Sequence, residues 1–397
     1  MHLLSKFDEV AATRNQLSQG GIDPTDVEME QMISATEAII RGRRTILAGT
    51  NNYLGLTFDP ECIAAGQAAL AAEGTGTTGS RMANGNYHSH RALELELAQF
   101  YGVNHAMVFS TGYSANIGTL TALLAPGDCV MLDADAHASL YDGCRMSGAD
   151  VYRFKHNDVD SLDNRLRRLE DRASRTLIIT EGLYSILGDH APLADFAEVK
   201  RRYGAFLFVD EAHSLGIYGD HGRGLAEEAG VEADVDFIVG TFSKSLGSTG
   251  GFCVSHHDVV KLFRYASRPY IFTASPCPSV IATTRVALRL LQERPELREQ
   301  LWRNARSLYE GLAGLGLTLG PDVSPVVGVR LADRDQALGV WHQLLDAGVY
   351  TNLIAPPASP DGSSLLRVST SAAHTAAQVD EVVTAFSVVL AGQNPLG

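Results

Sequence analysis

At 397 residues the chain is long enough for two or three domains and a sizeable core, and 45% hydrophobic with 20% charged residues is an ordinary balance for a folded protein. A formal charge of −14 argues against a general nucleic-acid binder, which needs a basic face to displace counterions. No apolar run reaches the roughly 18 residues needed to cross a bilayer, and Cys62, Cys129, Cys144, Cys253 and Cys277 are too scattered for a disulfide framework or a zinc site.

The opening segment, MHLLSKFDEVAATRNQ, carries acids and lacks the basic-then-apolar order of a secretion signal. It predicts a cytoplasmic chain whose residues 1–45 form an amphipathic arm. Residues 46–285 then read as a large α/β domain. Its strands are expected at Ala106–Ser110, Cys129–Asp133, Val151–Phe154, Leu177–Glu181, Ala205–Asp210 and Phe237–Thr241, several of them nearly continuous apolar runs of the kind covered on both faces. Most connections are long enough for helical crossovers, so the sheet is expected to be mostly parallel. The link from Phe242 to Gly250 is too short for such a crossover. The strand after it, Gly251–Val254, is therefore expected to run antiparallel, as the seventh of the sheet. Residues 286–397 read as a smaller α+β domain. Pro295 interrupts its long helical stretch, strands are expected at Pro325–Leu331 and Leu365–Thr370 with a helix around Arg334–Asp346 between them, and Thr375 is placed to cap the last helix.

Two stretches at strand ends carry the chemistry. Asp210-Glu211-Ala212-His213 follows the apolar run AFLFV, at the sheet edge where open parallel sheets bind ligands; taken alone, Asp210 is as readily a helix cap. Thr241-Phe242-Ser243-Lys244-Ser245-Leu246-Gly247 ends the next strand, and a lone loop lysine is an ordinary surface residue. Together, 34 residues apart on successive strands, they make what a pyridoxal phosphate (PLP) site requires. An amine bonds covalently to the aldehyde, and a carboxylate keeps the pyridine nitrogen protonated so that the ring accepts electrons.

The phosphate needs a cradle, and Ser110-Thr111-Gly112-Tyr113-Ser114-Ala115-Asn116 opens a helix after the first strand. Helix N–H groups and a close glycine backbone suit an anion, with Thr241 and Ser243 as further donors; a plainly capped helix start remains the alternative. Gly74–Gly79 (GTGTTG) lacks both common nucleotide-loop spacings and reads as a mobile substrate-facing loop running into Ser80. His137 could lie on the face of a ring or serve the structure only. No histidine or cysteine group shows metal-ligand spacing.

The stretches TNNYLGL (50–56), GTGTTGSR (74–81), STGYSAN, DADAHAS (133–139), EGLYSILGD (181–189), VDEAHSLG, GRG (222–224) and GTFSKSLG occur in the order found in the α-oxoamine synthases. The chain resembles that family over nearly its whole length. LLSKFDE, FDP, SRMANGNYHSH, HASLYDGC and RPYIFTAS place it nearest the branch of bacterial homodimeric serine palmitoyltransferases. The resemblance implies a fold-type I PLP transferase, with a mostly parallel seven-stranded sheet and a smaller C-terminal domain. It implies decarboxylative condensation of a small amino acid, on this branch L-serine, with an acyl thioester such as palmitoyl-CoA, giving 3-ketodihydrosphinganine, CoA and CO2. It also implies a homodimer with shared active sites.

For the residues, the resemblance implies that Lys244 holds PLP, Asp210 pairs with the pyridine nitrogen, His213 contacts the phenolic oxygen, and His137 stacks on the ring and helps position the amino-acid substrate. Gly112, Tyr113, Thr241 and Ser243 would bind the phosphate, with Asn116 and Ser185 close to the cofactor and Thr273 reaching a phosphate across the dimer. Arg367, Asn52 and Ser80 would contact substrate. One departure concerns Asn352–Pro360, where Ala355 stands in place of an arginine that helps hold the serine carboxylate in the branch. Other outcomes on the same fold are a synthase that uses alanine or glycine, or takes its acyl group from a carrier protein, an aminotransferase, and a non-catalytic partner subunit, against which Lys244 argues. A long acyl product invites peripheral membrane contact, although nothing in the sequence encodes an anchor.

Overall fold

The computed structural model describes residues 2–18, 21–356, 359 and 362–393. Two compact units divide the chain: one takes the residues up to Asn51, Ile186–Gly188 and those from Gln300 onward, the other Asn52–Ser185 and Asp189–Glu299. The sequence reading had set the divisions at 45 and 285.

The opening segment is more than an arm. Its helix Asp8–Leu17 buries nothing, but strands β1 (Gln31–Met32), β2 (Glu37–Ile40) and β3 (Arg43–Leu47) form an antiparallel meander. β2 and β3 join through Arg41-Gly42, both at positive φ (54° and 69°), the two-residue turn whose twist suits a hairpin. β3 also pairs in parallel with Val349–Tyr350, which ties this meander to the C-terminal residues of its unit.

The larger unit is organised by a seven-stranded sheet. In chain order its strands are β4 (His105–Phe109), β5 (Cys129–Asp133), β6 (Asp150–Phe154), β7 (Thr176–Glu181), β8 (Phe206–Asp210), β9 (Phe237–Thr241) and β10 (Gly251–Ser255), and across the sheet they run β4-β10-β9-β8-β7-β5-β6. From β9 to β6 every neighbouring pair is parallel. β10 is antiparallel to both β4 and β9, as the short connection before it requires. β5, β7, β9 and β10 are buried along their whole length, the consequence of helices on both faces. Four parallel strands therefore end on polar residues at one edge: β5 on Asp133, β7 on Glu181, β8 on Asp210 and β9 on Thr241.

In the smaller unit, β11 (Thr318–Leu319), β12 (Val326–Leu331), β14 (Asn352–Ile354) and β15 (Ser364–Ser369) make an antiparallel sheet in the order β11-β12-β15-β14, β13 being Val349–Tyr350. Leu308, Leu312, Trp341 and Phe386 lie in the core beneath it. The expected punctuation holds at Pro295 and Thr375: one helix ends at Glu293 and the next begins at Pro295, and the Thr375 hydroxyl accepts from the Gln378 N–H at 3.2 Å; Asp333 in addition caps Arg334–Asp346.

Candidate active site

The carboxyl edge of the large sheet opens into a cavity of about 280 Å³. Asp210, His213, Thr241, Ser243, Lys244, His137, Gly112, Tyr113 and Asn116 all line it, so nine residues singled out from separate motifs come together. Thr111, Ser139 and Glu181 line it as well.

Asp210 lines it with only 4% of its surface exposed. Its Oδ2 accepts from Asn116 Nδ2 at 2.6 Å and its Oδ1 from the Ala212 N–H at 2.9 Å. The lysine at 244 follows β9 on a tight turn that closes at Gly247, where φ is +58° and an added Cβ would come within 2.9 Å of the Thr57 backbone nitrogen.

The helix Gly112–Leu123 begins at the cavity wall. Thr111 and Ser114 cap it reciprocally: the Thr111 hydroxyl accepts from the Ser114 N–H at 3.0 Å, and the Ser114 hydroxyl accepts from the Thr111 N–H at 2.9 Å. A Cβ at Gly112 would approach Thr241 Cβ to 2.8 Å, so glycine lets this backbone close on β9. Thr241 donates its hydroxyl to the Gly250 carbonyl at 2.8 Å and lies 2.8 Å from the Ser243 hydroxyl. With the Thr241 proton given to Gly250, Ser243 is the donor in that contact, and it would serve an anion only by turning its hydroxyl away from Thr241. The Tyr113 hydroxyl donates to Asp142, leaving backbone N–H groups as this tyrosine's contribution to a cradle.

Two histidines, His137 and His213, also line the cavity. His213 Nδ1 lies 2.8 Å from the hydroxyl of fully buried Tyr53. His137 caps the helix Ala138–Ser147; its backbone N–H donates to Glu181 Oε1 at 2.6 Å, and its Nδ1 is 2.7 Å from the Ser139 hydroxyl. Burial, reinforced by the positive charge of Lys244, holds the His137 imidazole below its ordinary pKa against the pull of Asp210. Glu181 stands beside Asp210 in strand register. Burial first, and then the Asp210 charge, push its carboxyl well above the usual range.

Five further residues named from the sequence are not among those lining the cavity. Asn52 donates to the Thr57 hydroxyl at 2.7 Å. Ser80 sits in the glycine-rich loop, which is tied down rather than loose: the Gly79 carbonyl accepts from the Ser275 N–H at 3.0 Å, and Thr77 Oγ1 is 2.7 Å from Ser275 Oγ. Thr273 lies just before that anchor. Ser185 belongs to the loop between β7 and Asp189. Arg367, 5% exposed on β15, donates to Asn51 Oδ1 at 2.8 Å within the smaller unit. Of the loop carrying Ala355, Pro357, Ala358 and Pro360 lie outside the described residues. Sequence reasoning gave no role to Glu181, Ser139 or Tyr53; the one signal for Glu181 was its place at the end of an apolar strand.

The cavity is therefore lined by a hydrogen-bonded carboxylate, the start of a capped helix and a lysine. This donor set fits pyridoxal phosphate.

Comparison with known proteins agrees in kind. The class I and II aminotransferase family matches residues 44–386. The chain is 54% identical to the serine palmitoyltransferase of Caulobacter vibrioides (strain NA1000 / CB15N) over 96% of each chain. It is 51% identical to that of Sphingomonas paucimobilis over 97% of this chain and 92% of that one. The fold superposes on a solved serine palmitoyltransferase with its PLP internal aldimine at a TM-score of 0.96, with 50% identity over 99% of both chains.

Proposed function

Since the chain belongs to the class I and II aminotransferase family, we propose that it is a PLP-dependent acyltransferase of the serine palmitoyltransferase type. It condenses L-serine with a long-chain acyl-CoA, palmitoyl-CoA in the first instance, and releases CO2, CoA and 3-ketodihydrosphinganine. The observation that carries this reading is the meeting of Asp210, Lys244 and the Gly112 helix start in one cavity.

When bound, pyridoxal phosphate supplies a reactive aldehyde and a ring that accepts electrons from a carbanion. Lys244 would hold it covalently, and its amine is the base that would take the Cα proton of the amino acid. Asp210 holds the proton on the ring nitrogen. His213 donates to the phenolic oxygen and is itself held by Tyr53. The N–H groups of Gly112 and Tyr113 bind the phosphate with the Ser243 hydroxyl, supported by Thr241. His137 covers the ring face, while Asn116 acts through Asp210. Ser185 stays close to the cofactor and Ser80 to the substrate, as the resemblance assigns. Arg367 and Asn52 are assigned the serine carboxylate on the same ground. With alanine at 355, one guanidinium of the usual pair is replaced by a methyl group.

The working form is a homodimer in which Thr273 serves the partner's phosphate site. Among the described residues no helix is long and apolar enough to cross a membrane. Residence in the cytoplasm, with peripheral contact at the bilayer that receives the amphiphilic product, suits such a chain.

The test is spectroscopic and chemical. The purified protein should be yellow, its visible band should shift on titration with L-serine more than with alanine or glycine, and it should release CoA from palmitoyl-CoA. Lys244→Ala should lose the covalently held cofactor and at least about 10²–10⁴-fold of turnover; a variant that keeps both overturns the assignment.

A further inference from the structure

A chain of hydrogen bonds connects Asp210 to His137, and its direction can be read from one end. A carboxylate only accepts, so the Asn116 atom 2.6 Å from Asp210 Oδ2 is the amide nitrogen. That nitrogen also donates to Ser139 Oγ, at 2.9 Å. One Ser139 lone pair is thereby engaged, and its hydroxyl proton can point to its other neighbour, His137 Nδ1, at 2.7 Å. The Ser139 backbone N–H donates to the same ring nitrogen at 3.3 Å. With two donors converging on it, Nδ1 keeps its lone pair, and the imidazole proton resides on Nε2. Asn116 is 3% exposed and Ser139 fully buried, so water does not offer these groups alternative partners.

Resting on the reading of this cavity as the cofactor and substrate site, we propose that Ser139 is a positioning residue: with Asn116 it fixes His137 as the neutral Nε2–H tautomer, a hydrogen-bond donor to the amino-acid substrate, and ties that choice to the carboxylate of Asp210. Placing a proton on Nδ1 would set it against the Ser139 N–H and force the hydroxyl to reverse. Burial and the Lys244 charge disfavour the imidazolium in the same direction. The Glu181 carboxyl holds the His137 backbone, and Ser139 governs its ring.

The test uses the PLP-loaded protein labelled with ¹⁵N-histidine, with His137→Asn to identify the ring signals. Cofactor uptake is read from the visible band. Between pH 6 and 8, His137 should show an unprotonated Nδ1 and a protonated Nε2, a measurement that needs no altered protein. Ser139→Ala should move the tautomer ratio toward Nδ1–H by about tenfold, the worth of one ordinary hydrogen bond, and raise KM for L-serine more than it lowers kcat. Ser139→Thr should restore both. A loaded protein with Nδ1 protonated, or a Ser139→Ala tautomer ratio like the wild type's, overturns the relay and leaves the site reading standing. Failure to take up pyridoxal phosphate overturns both.

Discussion

His156 sits between two carboxylates, its Nδ1 2.8 Å from Asp133 and its Nε2 2.6 Å from Asp189, against the edge of Tyr184 with ring centroids 4.4 Å apart. Burial alone would depress the imidazolium, but its hydrogen bonds to Asp133 and Asp189, and their charges, outweigh that and raise its pKa from 6.5 to about 10. A group that binds its proton more tightly when folded stabilises the fold fully below its unfolded pKa. That contribution should fall as pH climbs from 6.5 toward 10. At about 1.4 kcal/mol per decade, the ceiling is on the order of 5 kcal/mol. His156 is 23% exposed, so its contribution belongs between the roughly 1 kcal/mol of a surface pair and the ~3–5 kcal/mol lost on breaking a buried one; about 2–3 kcal/mol is expected. Removing the ring alone would leave two carboxylates facing each other. The reference is therefore His156→Gln with Asp189→Asn, in which Asp133 keeps the N–H groups of Asp135 and Asn157 at 2.9 and 3.0 Å. Urea unfolding of both proteins at pH 6 and pH 9 gives the difference. The wild type should exceed the double variant at pH 6, and most of that excess should vanish at pH 9. An excess that is the same at both pH values would refute the clamp.

On the acid side the sign reverses. Burial holds His374 at a pKa of about 4 despite the pull of Glu37, so the unfolded chain binds its proton first and stability should fall as pH drops from 6.5 toward 4. His374→Asn should flatten that decline in the same urea assay. Gly112→Ala would force its Cβ to within 2.8 Å of Thr241; at about 1–3 kcal/mol for such overpacking, equilibrium dialysis should show PLP bound about ten- to a hundredfold more weakly while circular dichroism stays unchanged. Ala355→Arg should lower KM for L-serine by about tenfold or more, as one charge-assisted hydrogen bond would. An unchanged KM would mean that the missing guanidinium does not limit serine binding.

Much of the larger unit could be read from the residues because its strands are covered on both faces and so appear as unbroken apolar runs. Cys129–Asp133 and Phe237–Thr241 have the bounds that their hydrophobicity suggested. The reversal of β10 was legible because chain length is a hard constraint: nine residues, 242 to 250, cannot cross over a helix. The meander at 31–47 was not legible. Its turn is Arg41-Gly42, with an arginine at φ 54°, where the sequence signal for such a hairpin is asparagine or aspartate before glycine. The segment Ile186–Gly188 escaped for another reason. A Cβ on Gly188 would lie 2.0 Å from the Val326 carbonyl oxygen, so the glycine records a contact with a strand far along the chain.

The same distinction separates the parts of the site. Asp210 and Lys244 could be found because each is marked locally, at the end of an apolar strand, and because PLP chemistry asks for that pair. Glu181, Tyr53 and Ser139 carry no comparable local mark. Glu181 gains its neighbour from the β7–β8 register, and Tyr53 meets a histidine 160 positions away. Ser139 is two residues from His137, yet its orientation is set through Asn116 by Asp210, two helices and a strand brought together by the sheet. Such a relay needs its intermediate groups shielded from solvent, as Asn116 and Ser139 are. Local marks in the sequence therefore pointed to Asp210 and Lys244, which line one cavity, whereas the neighbours that hold the site's side chains are set by the folded sheet.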